Sequence, residues 1–96
     1  MYTTLQRYFP DSEVSMVHQD GSKTPADKGL EVVFVTRENE TDPCCAELSS
    51  EDYDAEIGFT FEGRTLIDFD GAFSLPGEVA RLLRELGYVV PDECLA

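Results

Sequence analysis

The chain has 96 residues, and its 20 Asp and Glu against 7 Lys and Arg give a formal net charge of −13. A hydrophobic content of 42% supports one small core, so we expect a single acidic globular domain over residues 1–96 and not a disordered chain. Charge of this sign disfavours direct contact with nucleic acid or anionic lipid and favours basic partners.

The N-terminal third predicts a short helix followed by two strands. Tyr2, Leu5 and Phe9 stand at helical spacing, which indicates a helix over residues 3–9. Alternating side chains predict a strand near residues 13–18, and the polar residues after it are typical of a connection. A β-branched apolar run then predicts a strand near residues 30–37.

The clearest strand pattern covers residues 52–62, where side chains alternate between two kinds for the whole length. One set is apolar or aromatic and is expected to face the core: Tyr53, Ala55, Ile57, Phe59 and Phe61. The other set, which includes four carboxylates, is expected to face outward: Asp52, Asp54, Glu56 and Glu62. A turn at Gly63 precedes a second alternating strand near 65–69, and pairing Phe61 with Thr65 requires a three-residue loop over 62–64.

The C-terminal third predicts an amphipathic helix near residues 76–86. Val79, Leu82, Leu83 and Leu86 fall on one face, and Gly87 stands where a helix commonly stops. Residues 88–90 can form a last short strand. Together these elements predict an α+β fold of two layers, with a mostly antiparallel sheet beneath one or two helices.

Cysteine usage and hydropathy suggest a cytoplasmic protein without a metal centre. The three cysteines are an odd number and two are adjacent, which does not suit a disulfide framework. Cys44, Cys45, Cys94 and His18 lack the C-x-x-C spacing that directs two thiolates at one zinc ion, so we expect no metal and no cofactor. No apolar run is long enough for export or for a membrane span.

The segment Leu66-Ile67-Asp68-Phe69-Asp70-Gly71 resembles the first motif of haloacid dehalogenase-type phosphotransferases, an apolar strand that ends in D-x-D-G. The resemblance implies that Asp68 is a nucleophile and Asp70 a general acid/base beside Mg²⁺. Ala72 stands where that family has Thr or Val, and only 26 residues follow Asp70. Since Asp and Gly are also common where a strand meets a turn, phosphotransferase chemistry is the weaker alternative, and we expect no enzyme.

The acidic residues are concentrated in one part of the chain. Nine of them and no basic residue lie between Arg37 and Arg64. Residues 38–51 of this stretch suggest a loop or short helix. We predict that the stretch binds a basic surface of a partner protein, with seven candidate partner-binding residues: Glu38, Glu40, Asp42, Asp52, Asp54, Glu56 and Glu62.

The partner implied by this surface is a protein that handles nucleic acid. Carboxylates two residues apart on a strand are separated by about 6.6 Å and could imitate part of a phosphate track. The predicted class is a nucleic-acid-mimicking inhibitor of a nuclease, a defence complex or a DNA-binding protein, of the kind that phages and mobile elements use. Tyr2, Tyr8, Tyr53 and Tyr88 could add binding contacts where exposed. The alternative is a small acidic housekeeping protein whose charge reflects salt adaptation or solubility, and the sequence leaves the oligomeric state open.

Overall fold

The computed structural model describes residues 1–72 and 74–95, and within them it contains five strands, one α-helix and one 3-10 turn. Their bounds are β1 Tyr2–Val14, β2 Asp27–Thr36, β3 Pro43–Ser49, β4 Asp54–Glu62, β5 Thr65–Asp70, α1 Gly77–Glu85 and the 3-10 turn Asp92–Cys94. The strands form one antiparallel sheet in the order β1-β2-β3-β4-β5, so every strand pairs with its neighbour in sequence. The sheet and helix together give an α+β architecture.

The pleat of the sheet separates apolar from acidic side chains. On one face, cross-strand partners are apolar: Val32 pairs with Leu48, and Ala46 pairs with both Phe34 and Ile57. These residues belong to the core cluster or pack against it. Because neighbouring residues on a strand face opposite ways, the residues between them lie on the other face.

Helix α1 covers the apolar face. Its side chains Val79, Ala80, Leu82 and Leu83 are buried in the same cluster as the inward residues of β2, β3 and β4. Two polar contacts tie it to β1. Arg7 forms an ion pair with Glu85 at 3.3 Å, and the Ser12 hydroxyl donates to the Glu78 carboxylate at 2.6 Å. The helix therefore runs antiparallel to β1 across the sheet.

The helix ends in a Schellman motif at Gly87. The Gly87 amide donates to the carbonyl of Arg84, and the Tyr88 amide donates to the carbonyl of Leu83. Gly87 has a φ of +94°, a conformation that glycine adopts with little strain. The chain then turns back and Val89 forms a parallel bridge with Thr65, where the sequence predicts a short strand. No helix in the described part of the chain has the length and apolarity needed to cross a membrane.

The expected helix over residues 3–9 is wrong, because that segment lies within β1. Leu5 and Phe9 satisfy helical spacing, but they also satisfy the alternation of a strand, and pairing with β2 decides between the two patterns. The strand expected near residues 13–18 is largely absent. Only its first two residues belong to β1, and Val17 makes an isolated bridge to Lys23.

Two expectations around the acidic stretch are also wrong. Residues 43–49 form the central strand β3, not a loop or short helix. In the β4–β5 hairpin, Glu62 pairs with Thr65 around a two-residue turn, and Phe61 pairs with Leu66. Gly63, the first turn residue, has a φ of +61°, as a type II′ turn requires. Ile67 is an extra residue in a β-bulge, and beyond it Phe59 pairs with Phe69.

Two isoleucines test the placement of the core. Ile57 is 0% exposed on the helix-covered face, whereas Ile67 at the bulge is 53% exposed. We expect Ile57→Ala to lower the free energy of unfolding by about 2 to 5 kcal/mol, since it removes buried methyl groups and leaves a cavity. Ile67→Ala should change it by less than about 1 kcal/mol. Urea denaturation of both variants checks this, and equal losses would contradict the assigned faces.

Candidate functional site: an acidic sheet face

The sheet face opposite α1 carries a concentration of carboxylates, which we call the acidic face. The strand register places seven of them there: Glu31, Glu47, Asp54, Glu56, Glu62, Asp68 and Asp70. Six are exposed and Glu31 is half-buried. From Asp54 to Glu62 the face extends about 26 Å along β4, and from β2 to β5 it extends about 14 Å.

Two of these carboxylates oppose each other directly. Glu47 on β3 is the cross-strand partner of Glu56 on β4, so both negative charges occupy one rung of the sheet. Opposed like charges destabilise a sheet by about 0.2 to 1 kcal/mol. Val33 is the next partner of Glu47 on the same rung, so β2 offers no positive charge to offset the repulsion.

Four of the seven basic side chains lie on α1 or contact its C-terminal end. Arg7 and Arg81 both form ion pairs with Glu85, and Arg84 pairs with Asp92. Arg64 donates to the Leu86 carbonyl at the end of α1. The ion pairs found among residues 1–72 and 74–95 include none of the acidic-face carboxylates, and the positions paired between β2 and β3, β3 and β4, and β4 and β5 hold no Lys or Arg. At the β1 edge, Lys28 pairs with Glu13.

The seven predicted partner-binding residues do not form one patch. Asp54, Glu56 and Glu62 lie on the acidic face, along β4. Glu38 and Glu40 are exposed in the β2–β3 loop, at the end of the sheet where β4 finishes. Asp42 belongs to the same loop, whereas Asp52 lies in the β3–β4 turn at the opposite end. The loops therefore extend the negative charge beyond both ends of the acidic face.

Asp42 has a structural contact. Its carboxylate accepts a hydrogen bond of 2.6 Å from the hydroxyl of Tyr88. The Tyr88 ring stacks on Phe61 with 4.5 Å between ring centroids, and the Arg64 guanidinium lies 4.0 Å from the Tyr88 centroid. Burial, the hydrogen bond to Asp42 and its negative charge raise the pKa of Tyr88 to about 12. Asp42 thus anchors the β2–β3 loop to the end of the helix.

Asp52 is coupled to a second carboxylate. The Asp52 amide donates to the Asp27 carboxylate at 2.8 Å, and the Ser50 hydroxyl donates to the same oxygen at 3.1 Å. A side-chain hydrogen bond with Asp27 and repulsion from its charge raise the pKa of Asp52. The Tyr53 hydroxyl donates to the Pro25 carbonyl at 2.6 Å. These contacts hold the β3–β4 turn against the segment that joins β1 to β2.

Four acidic-face residues are missing from the sequence-based set. Glu31, Glu47, Asp68 and Asp70 come from three strands and reach one surface only through the register. The sequence does contain a strand pattern that places Glu47 on the outer face, because Cys45, Glu47 and Ser49 alternate with Ala46 and Leu48. The acidic composition around that segment obscured its strand pattern.

The side chains considered for catalysis or metal binding do not form one site. Asp68 and Asp70 belong to β5, which is antiparallel to β4 and so differs from the parallel-sheet setting that the phosphotransferase resemblance implies. His18 is exposed in the connection between β1 and β2. In the described ranges, no group of three or more His, Cys, Asp or Glu side chains is arranged to hold a metal ion.

A double-mutant cycle tests the opposed carboxylates. We expect Glu47→Gln and Glu56→Gln each to raise the free energy of unfolding by about 0.2 to 1 kcal/mol in low salt, because each removes the same repulsion. The double variant should gain less than the sum of the two. Denaturation at low and at molar salt checks this, since salt screens exposed charges. Additive effects, or a loss of stability in each single variant, would refute the repulsion.

The Tyr88 contact predicts a pH dependence. A folded pKa near 12, above the ordinary value of 10.0, adds stability that is complete below about pH 10 and is lost as the pH rises towards 12. Tyr88→Phe should cost about 1 to 2 kcal/mol at neutral pH. The difference between wild type and variant should shrink through this alkaline window, as urea denaturation at stepped pH would measure. A constant difference would show that the hydroxyl does not contribute through its protonated form.

The chemistry that this surface offers is electrostatic. Its carboxylates are displayed by a rigid sheet, they lack basic partners within the described residues, and they are accessible to a ligand of opposite charge. Comparison of the chain with protein-family models, with curated proteins and with solved structures finds no match.

Proposed function

We propose that this protein is a non-enzymatic interaction protein whose acidic face binds a basic surface of a partner protein. The observation that carries the proposal is the opposed pair Glu47 and Glu56, at the centre of a face on which the paired positions from β2 to β5 hold no basic side chain. A sheet gains no stability from such a pair. Its presence is accounted for if a cationic partner neutralises both charges on binding.

The dimensions of the face support a partner that handles nucleic acid. Duplex DNA carries one negative charge per about 1.7 Å of axis, so a 26 Å length presents about 15 phosphates around its whole circumference. Seven carboxylates on one face approach half of that number, which is the share that a protein on one side of the duplex meets. The proposed partner is therefore a nuclease, a defence complex or a DNA-binding protein, with the acidic face as a nucleic-acid mimic.

The placement of the arginines favours this proposal over the salt-adaptation alternative. Here the arginine ion pairs are made by Arg7, Arg81 and Arg84 on the helix side, while the acidic face has none among the residues described. A face whose carboxylates have no ion pair of their own is complementary to a cationic surface.

A pair of matched charge reversals tests the proposal. The test variant carries Glu47→Lys and Glu56→Lys, and the control carries Asp11→Lys and Glu93→Lys at exposed positions that are not among the seven acidic-face carboxylates. Both change the net charge equally. The test variant also keeps a like-charged pair, so its folding should match that of wild type closely. Each protein is immobilised and exposed to an extract of the source cells at low salt.

We expect wild type and control to capture the same basic protein, and the test variant to lose it by at least about tenfold. Capture should weaken steeply from 50 to 200 mM salt, as it does for contacts to phosphates, and duplex DNA should displace the partner. Equal capture by both variants would overturn the acidic face as the binding site. Displacement by salt but not by DNA would overturn the mimicry and leave a simple basic partner.

A further inference from the structure

Cys44 and Cys45 are adjacent in β3, and their sulfur atoms lie 3.8 Å apart. Neighbouring side chains in a regular strand face opposite sides of the sheet, which would keep two such sulfurs well separated. The register with β2 explains the short distance. Val35 pairs with Cys45 while Thr36 pairs with Pro43, so Cys44 is an extra residue in a β-bulge. The bulge therefore brings the two thiols together.

The two thiols differ in their access to solvent. Cys45 is buried, whereas Cys44 is half-buried and lines an open groove. The walls of this groove come from the β2–β3 loop and from the end of β4, and Arg37 and Asp42 also line it. A small reagent can therefore reach Cys44 from the groove, and the Cys45 sulfur lies 3.8 Å from the Cys44 sulfur.

Geometry favours chelation by this pair over a disulfide. Adjacent Cα atoms are about 3.8 Å apart across a trans peptide, below the range of about 4.4 to 6.8 Å that disulfides usually span, so a bond between these sulfurs would be strained. Two thiolates that each lie about 2.3 Å from one soft centre, as they do in zinc sites, are at most about 4.6 Å apart. The observed sulfur separation of 3.8 Å is within that reach.

We propose that Cys44 and Cys45 form a dithiol site that captures a trivalent arsenical. In the reaction, both thiols add to an organoarsenic oxide, two arsenic–sulfur bonds form, the arsenic–oxygen bond breaks, and the oxygen leaves with the two thiol protons as water. Arsenic stays trivalent throughout, so no oxidant or reductant takes part. Two sulfurs and its own organic group complete the coordination of arsenic, which therefore needs no third protein ligand.

The surroundings of Cys45 agree with a thiol that reacts only as part of a pair. Burial, together with the neighbouring Cys44, raises the pKa of Cys45 to about 12, and the charges of Glu56 and Glu47 contribute further. Cys45 is therefore a protonated, weakly nucleophilic thiol at neutral pH. Initial attack is left to the more accessible Cys44, and ring closure then engages Cys45 at the high effective concentration of a neighbour.

The test uses phenylarsine oxide and intact-mass spectrometry of the reduced protein. We expect one adduct per chain, with the mass of the reagent less one water. The third cysteine supplies the matched control, because Cys94 lies apart in the 3-10 turn. Cys94→Ser should keep the adduct, while Cys44→Ser and Cys45→Ala should bind about 100-fold more weakly or worse, since a single thiol lacks the chelate effect.

Two further measurements make the result decisive. Urea denaturation establishes that each variant folds. If Cys45→Ala does not fold because Cys45 is buried, the test rests on Cys44→Ser alone. The wild-type adduct should also resist an excess of a monothiol and be removed by a dithiol. An adduct that Cys44→Ser retains, that Cys94→Ser loses, or that a monothiol removes would overturn the site, as would the absence of any adduct on wild type.

Discussion

The one-sided burial of the sheet is the constraint on which the rest of the structure depends. A single helix covers one face of five strands, and the core forms between them from residues such as Phe34, Ile57 and Leu82. The pleat then requires that side chains alternating with the core residues face away from the helix. Because those alternating positions hold carboxylates, the folding that buries the core also exposes the negative charge on the opposite face.

The contacts around Tyr88 fix this arrangement at one end of the molecule. The tyrosine stacks on Phe61 of β4, and its hydroxyl donates to Asp42 of the β2–β3 loop. The Arg64 guanidinium lies over the Tyr88 ring. Arg64 also binds the Leu86 carbonyl after the last turn of α1. One cluster thus joins the helix end, the β4–β5 hairpin and the loop that carries Glu38 and Glu40. The acidic loop is held in place by the same aromatic ring that closes the core.

How far the sequence predicts this fold depends on how local the information is. The alternation along β4 is local, and it correctly separates the inward Ile57 from the outward Glu56. Residues 3–9 fit both a helix and a strand, and only pairing with β2 selects the strand, which is information from more than twenty residues away. The segment that becomes β3 is hard to predict for another reason. Its acidic surroundings and its proline are typical of a loop, but β2 and β4 pair with it on both sides and satisfy its backbone hydrogen-bonding groups.

The same distinction applies to the two candidate sites. Sequence reasoning identified an acidic stretch but not the surface that the register forms. Asp42 and Asp52 have their own structural contacts, while Glu31, Asp68 and Asp70 enter from outside the stretch. The cysteine pair has no spacing that predicts a site, because no spacing rule reveals that a bulge brings two neighbouring thiols together.

Register therefore decides which side chains of the acidic stretch meet. It opposes Glu47 to Glu56, it places the sulfurs of Cys44 and Cys45 3.8 Å apart, and it does both within one short strand at the centre of the sheet. Each arrangement lowers stability: the opposed carboxylates repel each other, and the bulge at the cysteines interrupts the hydrogen bonds between strands. A strand selected for stability alone would avoid both arrangements. This is the physical reason to test whether β3 has a ligand, and not only contacts with its neighbouring strands.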